Sequence, residues 1–313
     1  MKKKVTVAIP VFNGGKYILE ALQSIAKQTI KIDEVLISDN YSTDSTVDII
    51  NQFSKKHPEL NIQLHRNSET VDVADNFNKC IELCTGDFLI LLGADDRLKP
   101  DTVKKHLSVF KKMPELALVG GLFDTINKEG RTINIPPKNE TIIFEKGDIL
   151  SYMIRTGFYM QHATIMYNMK CTRNVGYYKS GTVAPDERFN VEHLLKYPIA
   201  QIREGIIESR IHDDQVTNFE RLRFKEKTFH FQDNLDMAKY ESTPKRRKKL
   251  KKLLKKWVAS QSIGISRLVW KNYGEKKMGI KYWIYGLKTS PNYYFERYIY
   301  SKMKRTAKRI LYR

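Results

Sequence analysis

The 313-residue chain is poor in cysteine, has no long apolar run, and carries few acidic residues over its last third. Three cysteines, Cys80, Cys84 and Cys171, cannot build a disulfide framework and suit a reducing compartment. The longest apolar run, Phe88 to Ala94, falls far short of the about 20 residues that a bilayer crossing needs. Met1-Lys2-Lys3-Lys4 begins like a signal peptide. The stretch behind it, however, is broken by Pro10 and stops at Asn13-Gly14-Gly15, without a full apolar core or a small-residue cleavage site. These absences predict a cytoplasmic protein. Several motifs are missing as well. No Gly-x-Gly-x-x-Gly follows the first apolar run, which argues against an ordinary dinucleotide fold, and no Gly-x-x-x-x-Gly-Lys-Ser/Thr is present to make a phosphate loop. No Gly-x-Ser-x-Gly elbow or matched Cys/His pair points to acyl transfer. Cys80 and Cys84 lack a second ligand pair for zinc and read as core thiols on a helix. No internal repeat is visible.

What is present is a chain with 41% hydrophobic and 29% charged residues, enough apolar material for a sizeable core in one large domain or two modest ones. Its formal charge of +20 is unevenly placed. Residues 221–313 hold 27 Lys+Arg against 6 Asp+Glu, so the first 220 are close to neutral. Trp257, Trp270 and Trp283 all fall in the basic part. The expected organisation is a near-neutral body followed by a basic, aromatic-rich tail.

The body alternates two periodicities. Val5–Phe12, Val35–Asp39, Leu60–His65, Phe88–Leu92 and Leu116–Val119 are short apolar runs that read as strands. Between them Tyr17, Ile18, Ala21, Leu22 and Ile25, then Val47, Ile49, Ile50 and Phe53, then Val73, Phe77, Cys80, Ile81 and Cys84 recur at helical spacing. Pro100-Asp101 opens a further helix. Strand and helix in this rhythm predict an α/β fold, a mostly parallel sheet flanked by helices. Ligands of such sheets sit outside the carboxyl ends of the strands. That directs attention to Asn13, to Asp39 with Asp44, to Asn67, and to Asp95 with Asp96.

Each polar cluster admits two readings on its residues alone. Asp95 and Asp96 follow the most apolar strand. They either cap the turn before Pro100 or supply hard oxygen ligands to Mg²⁺ or Mn²⁺ on a diphosphate. Asp39-Asn40-Tyr41-Ser42-Thr43-Asp44 is an N-cap cluster or a nucleoside site. Asp186 and Glu187, after Ala184-Pro185, begin a stretch with Phe189, Val191, Leu194 and Leu195 at roughly helical spacing. A carboxylate there serves the helix dipole or acts as a general base. His212, in Arg210-Ile211-His212-Asp213-Asp214 after the apolar run Ile202–Ile207, is a metal ligand or an ordinary structural histidine.

Taken in order, Val7-Ala8-Ile9-Pro10-Val11-Phe12-Asn13, Asp33 to Asp44, Asn76-Phe77-Asn78, Gly86 to Asp96, Leu98-Lys99-Pro100-Asp101, Val175-Gly176-Tyr177, Pro185-Asp186-Glu187, Glu208 to His212 and Gln215-Val216-Thr217 resemble the family-2 glycosyltransferases of the GT-A fold. The resemblance spans roughly residues 4–217. It implies a GT-A, Rossmann-like nucleotide-sugar-binding catalytic domain over 1–220 and a helical basic region over 221–313. It further implies inverting transfer of a sugar from a nucleotide-diphosphate donor, a UDP-sugar in the first instance, to a saccharide acceptor. By motif position Pro10, Asn13, Asp39, Asn76 and Asp96 fall to the nucleotide. Asp95 and His212 fall to a divalent metal, Mn²⁺ or Mg²⁺, and Asp186 to the general base. Two departures stand out. Gly93 occupies the place of the first acid of the family's Asp-x-Asp signature, and the usual Glu-Asp of the base motif reads Pro185-Asp186-Glu187. A sugar-nucleotide nucleotidyltransferase shares the sheet and the metal. It wants a Gly-rich, basic phosphate loop, of which Asn13-Gly14-Gly15-Lys16 is a poor version. A non-catalytic polyanion-binding protein is the reading outside enzymology.

In the tail, Lys245 to Trp257 places apolar residues at i, i+3, i+4 and i+7 among cations, the pattern of a helix on an anionic membrane surface. Phe295, Tyr298, Ile299, Met303, Ile310 and Leu311 repeat it. Packing on the body or on a second subunit ranks next, and nucleic acid last. The composite expectation is a cytoplasmic or peripheral enzyme of surface polysaccharide synthesis, with a lipid-linked acceptor.

Overall fold

A computed structural model describes residues 3–156, 160–179, 185–212, 232, 235–272 and 276–293. The chain divides into two compact units, Met1–Asp213 and Asp214–Arg313. The motif residues 213–217, the boundary expected at 220 and the basic stripe at 295–311 lie outside the described residues.

The first unit is built on a sheet of β1 (Val5–Val11), β2 (Glu34–Asp39), β3 (Ile62–Arg66), β4 (Phe88–Leu91), β5 (Arg97–Leu98), β6 (Leu118–Ile126), β7 (Thr132–Asn134), β8 (Ile142–Phe144), β9 (Met166–Asn168) and β10 (Ile199–Arg210). The spatial order is β3-β2-β1-β4-β9-β6-β10-β5, with β7 beside β6 and β8 beside β10. β3, β2, β1 and β4 are mutually parallel, and β10 is parallel to β6. Between the two groups lies β9, antiparallel to both β4 and β6. The first four strands fall where the apolar runs predicted. β9, only three residues long, has no periodic signature. The fifth run extends further than expected, to Ile126, through Gly120 and Gly121, where Met160 and Ile206 pack against the bare backbone.

Helices α1 (Ile18–Ala26), α2 (Thr46–Lys56), α3 (Val73–Leu83), α4 (Thr102–Lys112), α5 (Ile149–Thr156), α6 (Met169–Val175) and α7 (Pro185–Lys196) accompany the sheet. The apolar stripes read from the sequence for α1 and α2 supply buried faces: Ile18, Ala21, Leu22 and Ile25 of α1, and Ile50 and Phe53 of α2, join Val7, Ile9, Val35, Ile37 and Ile90 in one core. Val73, expected on the α3 stripe, is instead exposed at the start of that helix. The strands β1, β2 and β4 are buried almost throughout, which is why they read as continuous rather than alternating apolar runs. A proline within the central strand β1 is tolerated for a local reason. The Ala8 carbonyl accepts from Leu92 N on the β4 side and the Val11 carbonyl from Asn40 N on the β2 side. Alternation therefore turns Pro10 toward β4 beyond the last paired residues, Ala8 and Leu91, where no ladder bond is lost. Cys80, Cys84 and Cys171 are free and buried.

In the second unit α8 (Pro244–Asn272) and α9 (Lys276–Thr289) are the long elements. Thr243 opens α8, its hydroxyl accepting from Arg246 N at 3.3 Å, with Pro244 at the first helical position. Val258 and Ile265 of α8 pack with Tyr282, Met278 and Tyr285 of α9, and Ala259 and Ile263 with Leu287 and Tyr293. Trp257, expected at a membrane interface, packs into the first of these clusters. Among the described residues no helix is long and apolar enough to cross a membrane.

Candidate active site

The parallel strands β1, β2 and β4 end side by side, and the loops leaving them meet. Asn13, after β1, adopts a left-handed φ of 49°, which asparagine tolerates. Its side-chain oxygen accepts from Thr43 N at 2.9 Å, while its own N–H donates to Ser42 Oγ at 2.8 Å. Asp44 likewise accepts from Gly15 N at 2.9 Å and from the hydroxyl and the N–H of Thr46. Burial, the largest single effect, pushes its carboxyl up, but these bonds together, the Thr46 hydroxyl first, hold it below the usual range. Gly14 approaches Ala94 so closely that an added Cβ would stand 3.3 Å from the Ala94 Cβ. The post-β1 loop is thus pinned to the loops after β2 and β4.

Asp39 ends β2 fully buried. Ser42 N donates to its two oxygens at 3.3 and 3.2 Å, and Arg66 Nε lies 3.2 Å from Oδ2. Arg66 also donates to the Ser42 carbonyl at 2.7 Å and stands 5.4 Å from the ring of Tyr41. Tyr41 is exposed and held at φ 65°, a strained conformation for an aromatic residue at the rim of the crevice. Asn76 lies deeper. It accepts from Ser38 Oγ at 2.8 Å and from Asn67 Nδ2 at 3.2 Å, and it donates to the Ser38 carbonyl. Its amide braces the ends of β2 and β3 from α3. Pro10 is half-buried within β1.

After β4 the two acids part. Asp95 Oδ2 lies 3.0 Å from His212 Nε2, with about a third of the Asp95 side chain exposed. Asp96 is buried, accepts from Arg210 N at 2.9 Å, and is approached by Gln161 Nε2 at 3.5 Å. Burial, with the Asp95 charge second, pushes the Asp96 carboxyl up to about 7, and the Arg210 N–H works in the opposite direction. An added Cβ at Gly93 would meet Asp95 Oδ1 at 2.9 Å and Asp96 Oδ2 at 3.1 Å. A third acid at position 93 therefore requires these carboxylates to move.

Arg210 organises this corner. Its side chain is fully buried. It reaches Glu20 Oε2 at 2.6 Å, the Asp95 carbonyl at 3.0 Å and the Asn127 and Lys128 carbonyls at 3.3 and 3.2 Å, and it sits 4.5 Å from the Tyr17 ring. Arg97 ties the same Glu20 to Glu208. The acid loop is thereby fastened to α1 and to the end of β10, whose continuation carries His212.

The third corner is Asp186, in the first turn of α7. Its Oδ1 accepts from Glu187 N at 2.9 Å and its Oδ2 faces His162 Nδ1 at 3.7 Å. Glu187 is buried while Asp186 keeps partial exposure. Gln161 and His162 are consecutive, so one peptide link joins the group facing Asp96 to the group facing Asp186. Phe77 of α3 lies edge-on to His162 at 5.0 Å. Sequence reasoning missed Gln161, His162 and Arg66 because no motif marks them. Arg210 was visible only as a neighbour of His212.

Among the described residues no group of three or more His, Cys, Asp and Glu side chains is arranged to hold an ion. The residues present nevertheless suit a metal completed by its substrate. Two cis ligands about 2.1 Å from an octahedral ion lie about 3 Å apart, the separation of Asp95 Oδ2 and His212 Nε2. Beside them the Tyr17 hydroxyl, its ring 4.9 Å from the His212 ring, is buried without a hydrogen-bond partner among the described residues. The same is true of Gln161 Oε1.

Comparison with known proteins bears on the family and the fold. The family described as Glycosyl transferase family 2 matches residues 6–171. The dolichyl N-acetyl-alpha-D-glucosaminyl phosphate 3-beta-D-2,3-diacetamido-2,3-dideoxy-beta-D-glucuronosyltransferase of Methanococcus voltae is 28% identical over 210 residues, which make up 64% of this chain and 62% of that protein. The chondroitin synthase of Escherichia coli is 34% identical over 130 residues, 42% of this chain but 18% of its own length. The chain thus spans less than two thirds of these relatives. In fold it resembles S. aureus TarS 1-349 in complex with UDP-GlcNAc, with a TM-score of 0.70 at 18% identity over 91% of this chain and 81% of the other. This likeness corresponds to the GT-A arrangement.

Proposed function

The chain belongs to glycosyl transferase family 2, and from that premise we propose that it transfers a sugar, with inversion at the anomeric carbon, from a nucleotide-diphosphate donor to a hydroxyl of a saccharide acceptor. The observation that carries the reading is that an acid at a strand end, Asp96, and an acid at a helix start, Asp186, are faced by the consecutive residues Gln161 and His162. The nucleoside lies over the loops after β1 and β2, between Asn13, Asp39 and the exposed Tyr41. Asp39 is covered by Arg66, so a base that reaches it turns the half-exposed Arg66 side chain aside. UDP is the first donor to try, in view of the UDP-GlcNAc held by the TarS structure.

Asp95 and His212 would hold the divalent ion, and Asp96, Arg210 and Gln161 support them. A bound ion supplies Lewis-acid stabilisation of the charge that builds on the leaving diphosphate. Asp186 accepts the proton of the acceptor hydroxyl as its oxygen bonds to the anomeric carbon and the bond from that carbon to the diphosphate breaks. A single displacement of this kind requires no covalent nucleophile on the protein. Asp186 is the better base than the adjacent Glu187, because Glu187 is buried and Asp186 is not. A lipid-linked saccharide is the acceptor class, in keeping with the dolichyl phosphate named for the archaeal relative, and surface polysaccharide synthesis is the setting.

Calorimetric titration of UDP with and without Mn²⁺, on the native chain and on Asp95→Ala, tests the site. Binding strengthened by Mn²⁺, with the strengthening lost in the variant, is expected. Equal binding by the two proteins in Mn²⁺ would remove Asp95 from the metal.

A further inference from the structure

The tail offers cations and apolar stripes, and the two long helices present them differently. On α8, Lys248, Lys249, Lys251, Lys252 and Lys255 are exposed, but Leu250, Leu254 and Val258 are buried. Among the described side chains of that helix the exposed ones bring charge without an apolar anchor. α9 shows both. Its inner residues Gly279, Tyr282 and Gly286 are buried, and Met278, Tyr282 and Tyr285 pack on α8. On its outer side Ile280, Trp283 and Ile284, spaced i, i+3 and i+4, are 45%, 49% and 41% exposed. Lys276, Lys277, Lys281 and Lys288 are exposed on the same helix, and Lys276–Thr289 contains no acidic residue.

We propose that the outer face of α9, Ile280, Trp283 and Ile284 with its bordering lysines, docks this protein on the surface of an anionic lipid bilayer. The argument is charge complementarity joined to amphipathic spacing. On a helical wheel Ile280, Trp283 and Ile284 occupy a sector about 100° wide, and Lys277, Lys281 and Lys288 line one side of it. An interfacial helix needs an apolar strip to enter the headgroup boundary, a tryptophan at that level, and cations to meet anionic headgroups. Nucleic acid would use the lysines but gain little from two exposed isoleucines. This moves the membrane contact away from Lys245–Trp257, where the sequence pattern alone had placed it. It deepens the lipid-linked reading above and rests on that reading for its purpose, not for its chemistry.

Flotation of the full chain with vesicles of phosphatidylcholine containing about 30% phosphatidylglycerol, against phosphatidylcholine alone, tests it. The chain is expected to float with the anionic vesicles at low salt, to stay behind with neutral ones, and to shift its tryptophan emission to the blue on binding. Ile280→Ser with Ile284→Ser, and separately Lys277→Gln with Lys281→Gln and Lys288→Gln, should each weaken binding about tenfold or more, and Trp283→Phe should abolish most of the spectral shift. Undiminished flotation of both multiple variants would overturn the proposal. So would failure of the native chain to float, whether or not the same lysines prove to bind single-stranded RNA or the same isoleucines to hold a dimer together. UDP titration of these variants keeps the two readings apart. Nucleotide binding without flotation removes only the docking face, and flotation without nucleotide binding removes only the transferase.

Discussion

The two units use charge in opposite ways. In the first, cations meet acids at defined places: Arg97 and Arg210 share Glu20, Lys99 meets Asp124, and Lys105 and Lys138 share Glu204. In the second, the described lysines far outnumber the acids, and Glu241 with Arg246 is the one ion pair among the described residues. Matched, partly buried charge fixes geometry, because each partner removed leaves the other desolvated and unpaired. Unmatched, solvated charge fixes no geometry and acts through its summed field. The body therefore should be intolerant of single changes and the tail tolerant of them.

The largest expected break in that contrast is Asp186→Asn. If this acid is the base, turnover with a UDP-sugar and acceptor falls about 10²- to 10⁴-fold while UDP binding stays within a factor of a few. Turnover near the native rate would move the base elsewhere. Arg210→Met comes next. It removes a buried guanidinium bonded to α1 and to two loops, and urea unfolding of the body should show a loss of about 3 kcal/mol. A change below about 1 kcal/mol would mean that Arg97 and the backbone hold the acid loop without it.

The response to pH follows in size. His106, bonded between the Thr102 and Thr164 carbonyls, and His193, between Phe189 and Thr172, are held neutral by burial, each down to about 4. An unfolded histidine titrates near 6.5, so between about pH 6.5 and 4 the unfolded chain binds two protons that the native one refuses. Their stabilisation is complete above that window and is lost as pH falls through it. Asp96, held up near 7, runs the other way by one proton over much of the same range. The net is one proton, about 1.4 kcal/mol of stability lost per pH unit below 6.5. Denaturation midpoints at pH 6.5 and 5 measure it, and a flat profile would mean that the histidines accept protons in the native state. The smallest effect is expected in the tail, where Lys248→Gln and Lys252→Gln should each shift stability by less than about 0.5 kcal/mol. A larger loss would show that these lysines have specific partners.

Much of this architecture is legible along the chain because it rests on local periodicity. A strand buried on both faces must be a continuous apolar run, so β1, β2 and β4 stand out, and helices packed on one side must repeat their apolar residues every three or four positions. β9 is not legible, since three residues make no period. The same limit applies to the site. Asp39, Asp95, Asp96, Asp186 and His212 were found at strand ends and a helix start. Their individual roles were not, because Asp95 and Asp96 are chemically identical and differ only in what surrounds them: exposure and His212 for one, burial and the Arg210 N–H for the other. Asn76 carries a second layer of the same limit. A motif position assigns it to the nucleotide, and only the structure shows that its amide is bonded to Ser38 and Asn67.

Composition and order along the chain sufficed for the near-neutral body, the basic tail and the strand ends at which chemistry had to be sought, because charge and hydrophobic period are carried by neighbours in sequence. Folding alone decided that Gln161 and His162 face two different acids, that Arg210 joins Glu20 of α1, 190 residues away along the chain, to the Asp95 carbonyl, 115 residues away, and that α9 rather than α8 exposes its isoleucines. These are relations between distant residues, and they arise only when burial of the core brings separate elements to fixed distances.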